Sequence, residues 1–174
     1  MSPSTNAAEP PAPKEPVEIV EVDLEREDHQ RDVLALTAAY ALDPMGNGGA
    51  LSREDLDRLI PGLRSHPTTI IFVAYRGGQA VGIATCFRGF STFRAQPLIN
   101  VHDLAVLPEH RGRGTGRALL AAVEQKARAM GCCRLTLEVY QNNQPARRTY
   151  ARAGFSQAGA GQPGGGALFY MKSL

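Results

Sequence analysis

Long apolar runs are missing from this sequence. No window approaches 18 consecutive apolar residues, so the sequence predicts no membrane-spanning helix. An excess of one charge is missing too, because 19 basic and 17 acidic residues leave a net charge of only +2. This balance argues against a protein that wraps nucleic acid or coats an anionic membrane. The N-terminus also lacks the apolar segment that a signal peptide needs.

Cysteine is scarce, and Cys86, Cys132 and Cys133 are the three thiols of the chain. Neighbouring cysteines rarely pair with each other, and the sequence has no C-x-x-C pair to hold zinc. The four histidines show no metal-ligand spacing, so we predict no metal site. An odd number of cysteines without a secretion signal predicts a cytoplasmic protein whose reduced thiols are packed as small apolar side chains.

Proline is concentrated at the N-terminus, where residues 1–16 hold five of the twelve prolines. Such a segment buries too little apolar surface to offset the entropy lost on ordering. We therefore predict a disordered tail over residues 1–16. The rest of the 174-residue chain is long enough for one substantial core, so we expect a single domain over residues 17–174.

Hydrophobic periodicity and turn residues predict the element order β-α-α-β-β-β-α-β-α-β-β. Strands dominate the middle of the chain, which favours an α/β (α+β) fold around a mixed sheet over a doubly wound fold. The predicted strands cover residues 17–22, 69–75, 80–87, 98–106, 134–140, 155–160 and 167–172. The predicted helices cover 28–42, a segment capped by Ser52 that ends near Pro61-Gly62, 114–130 and 143–153.

The most informative segment is VLPEHRGRGTGRALL, residues 106–120, in which a short basic loop joins a strand to a long helix. Its alternate glycines leave the backbone open to a ligand. The first amides of the helix lack partners inside the helix, and the helix dipole adds about half a positive charge there. The loop therefore predicts a pyrophosphate site, formed by Arg111, Gly112, Arg113, Gly114, Thr115, Gly116 and Arg117.

Other glycine-rich motifs fit this loop less well. A dinucleotide-binding fingerprint needs a glycine where Arg117 stands, and it belongs to a first βαβ unit. A P-loop needs the string G-x-x-x-x-G-K-[ST], which the sequence does not contain. An RGG nucleic-acid tract would be longer and disordered. A strand-to-helix turn with a purely structural role is the remaining alternative.

This loop resembles the R/Q-x-x-G-x-G/A pyrophosphate loop of the GCN5-related N-acetyltransferases, the GNAT superfamily. Downstream, the helix that carries Asn143, Ala146 and Tyr150 and ends at Gly154-Phe155 resembles the superfamily's N-x-x-A-x-x-x-Y-x-x-x-G-F helix. The two motifs have the family's order and separation, and the element order agrees over roughly residues 17–174. The resemblance implies an acetyltransferase-type fold, with a twisted mixed sheet of about seven strands, about four helices and two splayed parallel strands.

The resemblance also implies acetyl-CoA as co-substrate and a direct transfer to an amine. Strands 98–106 and 134–140 would part, and the pantetheine arm would pair with strand backbone like an added strand. The implied cofactor-binding residues are Leu104, Ala105, Val106, Arg111, Gly112, Arg113, Gly114, Thr115, Gly116, Arg117, Asn143 and Ala146.

Two residues are expected to carry the proton transfers. Tyr150, with a reference pKa near 10, would protonate the departing thiolate, although a tyrosine at this position would also suit a packed core. His102 would accept the proton of the amine, since histidine has a reference pKa near 6.5. A hydrogen-bonded histidine with a structural role is the alternative for His102.

The acceptor side shows a sharper local likeness, because GFSTFRAQP followed by LINVHDLAV resembles the diamine and polyamine acetyltransferases. That branch has a Glu-Asp pair where this chain has His102-Asp103. A histidine lacks the fixed negative charge that attracts a polycation, which weakens a polyamine assignment. We expect Asp103 to bind the ammonium group or to orient His102, and Glu138, Phe90 and Phe93 to border the acceptor pocket.

The sequence therefore predicts an acetyl-CoA-dependent N-acetyltransferase, with a small-molecule amine as the favoured acceptor. A peptide or protein amine is an alternative acceptor. A non-catalytic acyl-CoA-binding sensor module is the rival from another class, because it would keep the loop without needing Tyr150 or a base. We expect no nucleic-acid or membrane partner, and a homodimer is one possible assembly.

Overall fold

The computed structural model of the protein describes residues 16–159 and 166–174. The predicted tail over residues 1–16 lies outside these ranges except for Pro16, and so does Ala160 at the end of one predicted strand. The strands are β1 Glu18–Glu21, β2 Thr69–Arg76, β3 Gln79–Ser91, β4 Gln96–Val106, β5 Arg134–Tyr140, β6 Ser156–Gln157 and β7 Ala167–Ser173. The helices are α1 Glu27–Ala41, α2 Arg53–Ser65, α3 Thr115–Ala129 and α4 Gln144–Arg152, with a 3-10 turn at Pro108–His110.

The seven strands form one mixed sheet in the order β1-β2-β3-β4-β5-β7-β6. Five of the neighbouring pairs are antiparallel, and β4 with β5 is the parallel pair. The predicted mixed α/β fold with about seven strands and four helices is thus confirmed, in the predicted element order. No helix within the described ranges is long and apolar enough to cross a membrane.

Local signals set most element ends. The hydroxyl of Ser52 accepts a hydrogen bond from the Asp55 amide at 3.1 Å and caps α2. The turn between β2 and β3 places both Gly77 and Gly78 at positive φ, 53° and 78°, as a two-residue hairpin of the primed type requires. Helix α2 continues through Pro61 to Ser65, because the turn beyond Pro61 is closed by later bonds such as the His66 amide to Gly62.

Apolar side chains pack on both faces of the sheet. On one face, α3 contributes Leu119, Val123 and Ala127, and the sheet contributes residues such as Leu135 and Leu137. On the other face, α1 and α2 cover a smaller cluster, which includes Val33, Leu36, Ile71, Val73 and Ile83. Burying a side chain of this size contributes about 1.5–3 kcal/mol. Cys86 and Cys132 are buried in the larger cluster and Cys133 is half-buried, and all three are free thiols.

One partly buried ion pair holds α3, α4 and β7 together. The Lys172 ammonium donates to Glu124 on α3 at 2.5 Å and to the carbonyl of Ala153, after α4, at 2.7 Å. The hydrogen bond from Lys172 is the main cause that lowers the pKa of Glu124. Both side chains are largely shielded, with 19% and 23% of their surface exposed. The pair is therefore screened less than a surface ion pair.

We expect Lys172→Met to lower the free energy of unfolding by about 2 kcal/mol at neutral pH, as for hydrogen bonds to charged groups, measured by urea denaturation. Because folding lowers the pKa of Glu124, this contribution is present above the unfolded-state pKa and is lost as Glu124 is protonated at acid pH. Lys126→Met is the matched control, since its pair with Glu21 is more exposed and worth less than about 1 kcal/mol. Equal losses of unfolding free energy in the two variants would contradict a larger contribution from the Lys172–Glu124 pair.

Candidate active site

The parallel strands β4 and β5 part in the middle of the sheet. They pair over three residues each, Ile99–Val101 with Leu135–Leu137, and the pairing stops there although both strands continue. Beyond Val101 the strand β4 carries a bulge: Cys86 pairs with Val101 and Thr85 with Asp103, so His102 has no opposite residue on β3. A bulge bends the strand that carries it. The gap predicted between these two strands is present in the structure.

The register shows which backbone groups face this gap. The amide of Leu107 donates to the carbonyl of Val81, so these two residues form a hydrogen-bonded pair. Hydrogen-bonded pairs alternate along antiparallel strands. Ala105, opposite Ile83, therefore turns its amide and carbonyl toward β3, whereas Leu104 and Val106 turn theirs toward the gap. Of the three backbone positions predicted to meet a pantetheine arm, Leu104 and Val106 have the required direction and Ala105 does not.

The loop of residues 111–117, called the glycine loop below, lies at the open end of the gap. Gly112 and Gly114 have φ values of 71° and 85°, a backbone region that residues with a side chain rarely adopt. Among the described residues, no atom beyond the chain neighbours lies within 4 Å of an ideal Cβ at either position. Gly114 is the N-cap of α3 and supplies no side-chain cap, so the first amides of the helix keep no partner within it. Gly116 faces side-chain atoms of Thr149 and Val106, each 3.8 Å from an ideal Cβ, where α3 approaches α4. These features fit an anionic group such as a pyrophosphate.

The arginines near this loop differ in what they contact. The Nε of Arg111 donates to the carbonyl of Val106 at 2.8 Å, and its terminal nitrogen pairs with Asp43 at 2.5 Å. Arg113 and Arg117 are both exposed. The guanidinium of Arg76 donates to the Arg113 carbonyl at 3.1 Å and lies 3.3 Å from the Thr115 hydroxyl, which is buried.

Sequence reasoning missed Arg76. The available signal was topological: β2 and β4 both run antiparallel to β3, so the end of β2 lies at the same edge of the sheet as the loop after β4. Arg76 stands at that end of β2 and supports the loop there.

The second motif places its residues at the start of α4 and in the core. Asn143 is the N-cap of α4, and its side-chain oxygen accepts from the Ala146 amide at 3.2 Å. Ala146 is half-buried and packs against the larger hydrophobic cluster. The structure thus gives Asn143 a capping role and leaves Ala146 as a small side chain where α4 meets the core.

Tyr150 is 7% exposed, and its ring packs against Phe155 and Tyr170 with centroid distances of 6.0 and 6.4 Å. Within residues 16–159 and 166–174 its hydroxyl makes no hydrogen bond. Burial raises the pKa of Tyr150, and the charges of Tyr40 and Asp103 raise it further. The hydroxyl is therefore protonated at neutral pH, as a proton donor must be.

The bulge brings His102 and Asp103 to the face of the sheet that α1 and α2 cover. Asp103 shares that face with Ala105, which packs against the smaller cluster. The exposed His102 ring packs against the Phe87 ring in a T-shaped arrangement, with 5.4 Å between ring centroids. The Phe87 ring also packs against His66, at the end of α2, with 5.0 Å between centroids. Burial raises the pKa of Asp103, while the charge of His102 lowers it, and no hydrogen bond to its carboxylate is found in the described part of the chain.

Two tyrosines and Glu138 complete this side of the gap. The Asn100 amide donates to the Thr136 hydroxyl at 3.1 Å, which puts Thr136 on the same face, and Glu138 and Tyr140 follow it at two-residue steps. Glu138 and Tyr140 are exposed, and a cavity of about 440 Å³ beyond the end of β5 is lined by Tyr140, Gln141, Asn142 and Gly166. On α1, burial raises the pKa of Tyr40, and the nearby charge of Asp103 is the next cause. Tyr40 and Tyr140 were not predicted as site residues, because neither lies in a recognisable motif.

Phe90 and Phe93 lie elsewhere, which corrects the prediction for them. Strand β3 continues to Ser91, Phe90 pairs with Pro97, and Phe93 lies in the hairpin turn with 98% of its surface exposed. Pro97 is five residues before His102 on β4, a separation of about 17 Å at the rise of a strand. The two phenylalanines are thus at the other end of β4 from the gap. In residues 16–159 and 166–174, no group of three or more ligating side chains could hold a metal ion.

Comparison with known proteins identifies relatives over much of the chain. Residues 34–155 match the acetyltransferase (GNAT) family. The uncharacterized N-acetyltransferase YycN of Bacillus subtilis (strain 168) is 39% identical over 57 residues, 33% of this chain and 36% of YycN. The uncharacterized N-acetyltransferase YhfO of the same strain is 30% identical over 95 residues, 55% of this chain and 63% of YhfO. In these matches the chain spans less than two thirds of either relative.

Solved structures are similar to this chain as well. The crystal structure of nourseothricin acetyltransferase has 34% sequence identity and a TM-score of 0.51, covering 62% of this chain and 66% of that one. A probable acetyltransferase has 18% identity and a TM-score of 0.72, over 83% and 93% of the two chains. The NatC complex bound to Gag peptide and CoA has 17% identity and a TM-score of 0.69, over 91% and 98%. The last two show a shared fold alone.

The parted β4 and β5, the glycine loop before α3 and the tyrosine of α4 therefore occur in a chain whose residues 34–155 match one family. This protein belongs to the acetyltransferase (GNAT) family.

Proposed function

We propose that this protein transfers an acetyl group from acetyl-CoA directly to an amine. The observation that carries the proposal is the gap between β4 and β5, which the backbone groups of Leu104 and Val106 face and which opens onto the glycine loop. A pantetheine arm could bind there as an added strand. The amides at the start of α3, with Arg113 and Arg117, would hold the pyrophosphate. Arg76 would support the loop through its hydrogen bond to the Arg113 carbonyl.

The proposed proton donor and the proposed proton acceptor lie on opposite sides of the gap. Tyr150 belongs to the cluster on the α3 side, whereas His102 and Asp103 lie on the α1 side. Bound acetyl-CoA supplies the thioester. An amide of β4, at Leu104 or Val106, is suited to polarise its carbonyl, and Tyr150 to protonate the thiolate.

The acceptor amine has to lose a proton before it attacks. A free alkyl amine has a pKa near 10.4, so its neutral form costs about 4.6 kcal/mol at pH 7. We propose that His102, directly or through water, takes that proton. Asp103, whose desolvated carboxylate makes no hydrogen bond within the described ranges, would bind the ammonium form before proton transfer.

We further propose a small-molecule acceptor with cationic character. Carboxylates and aromatic rings together bind cations, and the acceptor side carries Asp103, Glu138, Tyr40 and Tyr140. The similarity to nourseothricin acetyltransferase, whose name specifies a small-molecule acceptor, supports this choice. A peptide amine is the second candidate acceptor, and the experiment below includes it.

A turnover screen tests the function. Release of the CoA thiol is followed with polyamines, amino acids, aminoglycosides and peptides, and mass spectrometry identifies acetylated products. We expect turnover with a cationic small amine. Binding of acetyl-CoA by calorimetry without turnover of any amine would indicate the sensor module instead, and turnover confined to peptides would replace the proposed acceptor class.

We expect His102→Ala to lower kcat/KM for the amine at pH 7 by 10²–10⁴-fold, the range for loss of a general base, with unchanged affinity for acetyl-CoA. The loss should be smaller at pH 9, where more of the amine is already neutral. His66→Ala is the matched control, because His66 packs against the same Phe87 ring as His102. Equal impairment at pH 7 and pH 9 would indicate a structural role for His102 and make Asp103 or Glu138 the next candidate.

A further inference from the structure

We propose that Arg111 positions the acceptor side of the site and does not bind the pyrophosphate, a proposal that rests on the function proposed above. By sequence Arg111 opens the glycine loop, and the motif would give it to the cofactor. In the structure its guanidinium instead joins the end of β4 to the segment between α1 and α2, residues 42–52, which we call the α1–α2 loop.

The contacts of Arg111 fix its direction. Its Nε donates to the Val106 carbonyl at 2.8 Å, and the other side of the guanidinium pairs with Asp43 at 2.5 Å. The Asp43 side chain is 14% exposed and the Arg111 side chain 52%, so this charge-assisted bond is shielded from solvent on the carboxylate side only. A lysine could keep one charge contact but could not make both bonds in one plane. Arg111 is thereby committed to two protein partners.

Asp43 in turn organises the α1–α2 loop. Its carboxylate accepts from the Met45 amide at 2.8 Å, and its carbonyl accepts from the Gly46 amide at 2.8 Å. The Met45 amide and then Arg111 are the main causes that lower the pKa of Asp43, so this carboxylate is charged at neutral pH. The Gly49 amide closes the loop on the Ala41 carbonyl at 3.0 Å.

The loop is packed directly on Tyr40. The Tyr40 hydroxyl donates to the Met45 carbonyl at 3.3 Å, and a Cβ on Gly46 would lie 2.1 Å from the Tyr40 carbonyl oxygen. Tyr40 also lies within electrostatic reach of Asp103 and Tyr140. A displacement of Asp43 would therefore move Tyr40 against the groups that we propose receive the acceptor amine.

The same side chain also joins the two substrate sites. Arg111 belongs to the loop that would hold the pyrophosphate, and its other bonds end at Val106 in the gap and at Asp43. A cofactor that stabilises the glycine loop should therefore also stabilise the α1–α2 loop. The free energy of cofactor binding is then coupled to the order of the α1–α2 loop on the acceptor side.

Hydrogen exchange gives a test that needs no ligand. We expect Arg111→Lys and Asp43→Asn to speed exchange at the Gly46 and Gly49 amides about tenfold or more, because the Gly46 amide is bonded to Asp43 and the Gly49 amide closes the loop on Ala41. Asp43→Asn keeps an oxygen for the Met45 amide and removes the charge. Combining the two substitutions should add little to either one, as for residues in one interaction.

Binding and kinetics separate the two roles of an arginine in this loop. For Arg111→Lys we expect the Kd of CoA, by calorimetry, to change less than about threefold, and the KM of the acceptor to rise about tenfold or more. For Arg113→Ala we expect the Kd of CoA to rise about tenfold or more and the KM of the acceptor to change less than about threefold. In the wild-type protein, CoA should slow exchange at Gly46 and Gly49, and Arg111→Lys should abolish this effect.

Three results would overturn the proposal. The first is a tenfold weaker CoA affinity in Arg111→Lys with unchanged hydrogen exchange at Gly46 and Gly49, and the second is additive effects of the two substitutions on that exchange. The third is a slowing of the exchange by CoA that persists in Arg111→Lys. A wild-type protein that neither binds CoA nor acetylates an amine would instead refute the proposed function. The exchange comparison without ligand would still decide whether Arg111 holds the α1–α2 loop.

Discussion

Replacing Tyr150 with phenylalanine is expected to lower kcat by roughly 10²–10⁴, the range for loss of a general acid. The ring would still pack against Phe155 and Tyr170. The hydroxyl makes no hydrogen bond within residues 16–159 and 166–174, so its removal leaves no described partner unsatisfied. We therefore expect unchanged stability in urea denaturation and unchanged affinity for acetyl-CoA in calorimetry, together with a large loss of kcat.

Tyr170→Phe is the matched control for this prediction. Tyr170 is a buried tyrosine in contact with Tyr150, and its hydroxyl accepts from the Nε of Arg147 at 3.2 Å. Its loss should cost about 1 kcal/mol of stability and leave kcat within about twofold, since its hydroxyl has no proposed chemical role. If kcat survives in Tyr150→Phe, solvent or another group protonates the thiolate, and Tyr150 is a core residue.

Gly114→Val is expected to weaken acetyl-CoA binding at least about tenfold, or about 1.4 kcal/mol, measured by calorimetry. Gly114 has a φ of 85°, where a β-branched residue is strained, and it is the N-cap at which the free amides of α3 begin. Apart from its own chain neighbours, no atom of the described residues lies within 4 Å of an ideal Cβ at this position. The substitution would therefore disturb the backbone and the space before it, where we propose that the pyrophosphate binds.

Gly131→Val separates backbone strain from binding. Gly131 follows the other end of α3, with a φ of 67°, and here too an ideal Cβ has no atom of the described residues within 4 Å beyond its chain neighbours. The two variants should lose similar amounts of stability, about 1–2 kcal/mol for a left-handed residue, but only Gly114→Val should lose affinity. Equal affinities in two folded variants would refute the loop as the pyrophosphate site.

The sequence by itself predicted the elements and their order, because these depend on neighbouring residues. Ser52 caps a helix through a bond to an amide three residues away, and Gly77-Gly78 closes a hairpin within two residues. The glycine loop between a strand and a helix is equally local. The family motifs could be recognised for the same reason, since each is confined to a few turns of chain.

The tertiary structure alone decided which residues meet. Arg111 and Asp43 are 68 positions apart, and Arg76 lies 37 positions from the carbonyl that it supports. No periodicity signals such contacts, since they arise from how strands and loops share one edge of the sheet. The bulge at His102 was likewise undetermined by alternation, because one extra residue reverses the faces of the side chains that follow it.

The placement of Phe90 and Phe93 shows the same limit. Their sequence lies close to His102-Asp103, which predicted a shared pocket, but a β-hairpin carries its turn away from the far end of its strands. Phe90 therefore lies beside the start of β4, whereas the gap lies beyond Val101, toward the end of the same strand. Local patterns thus determined what each segment is, whereas strand pairing, with its direction, register and one bulge, decided which segments form the site.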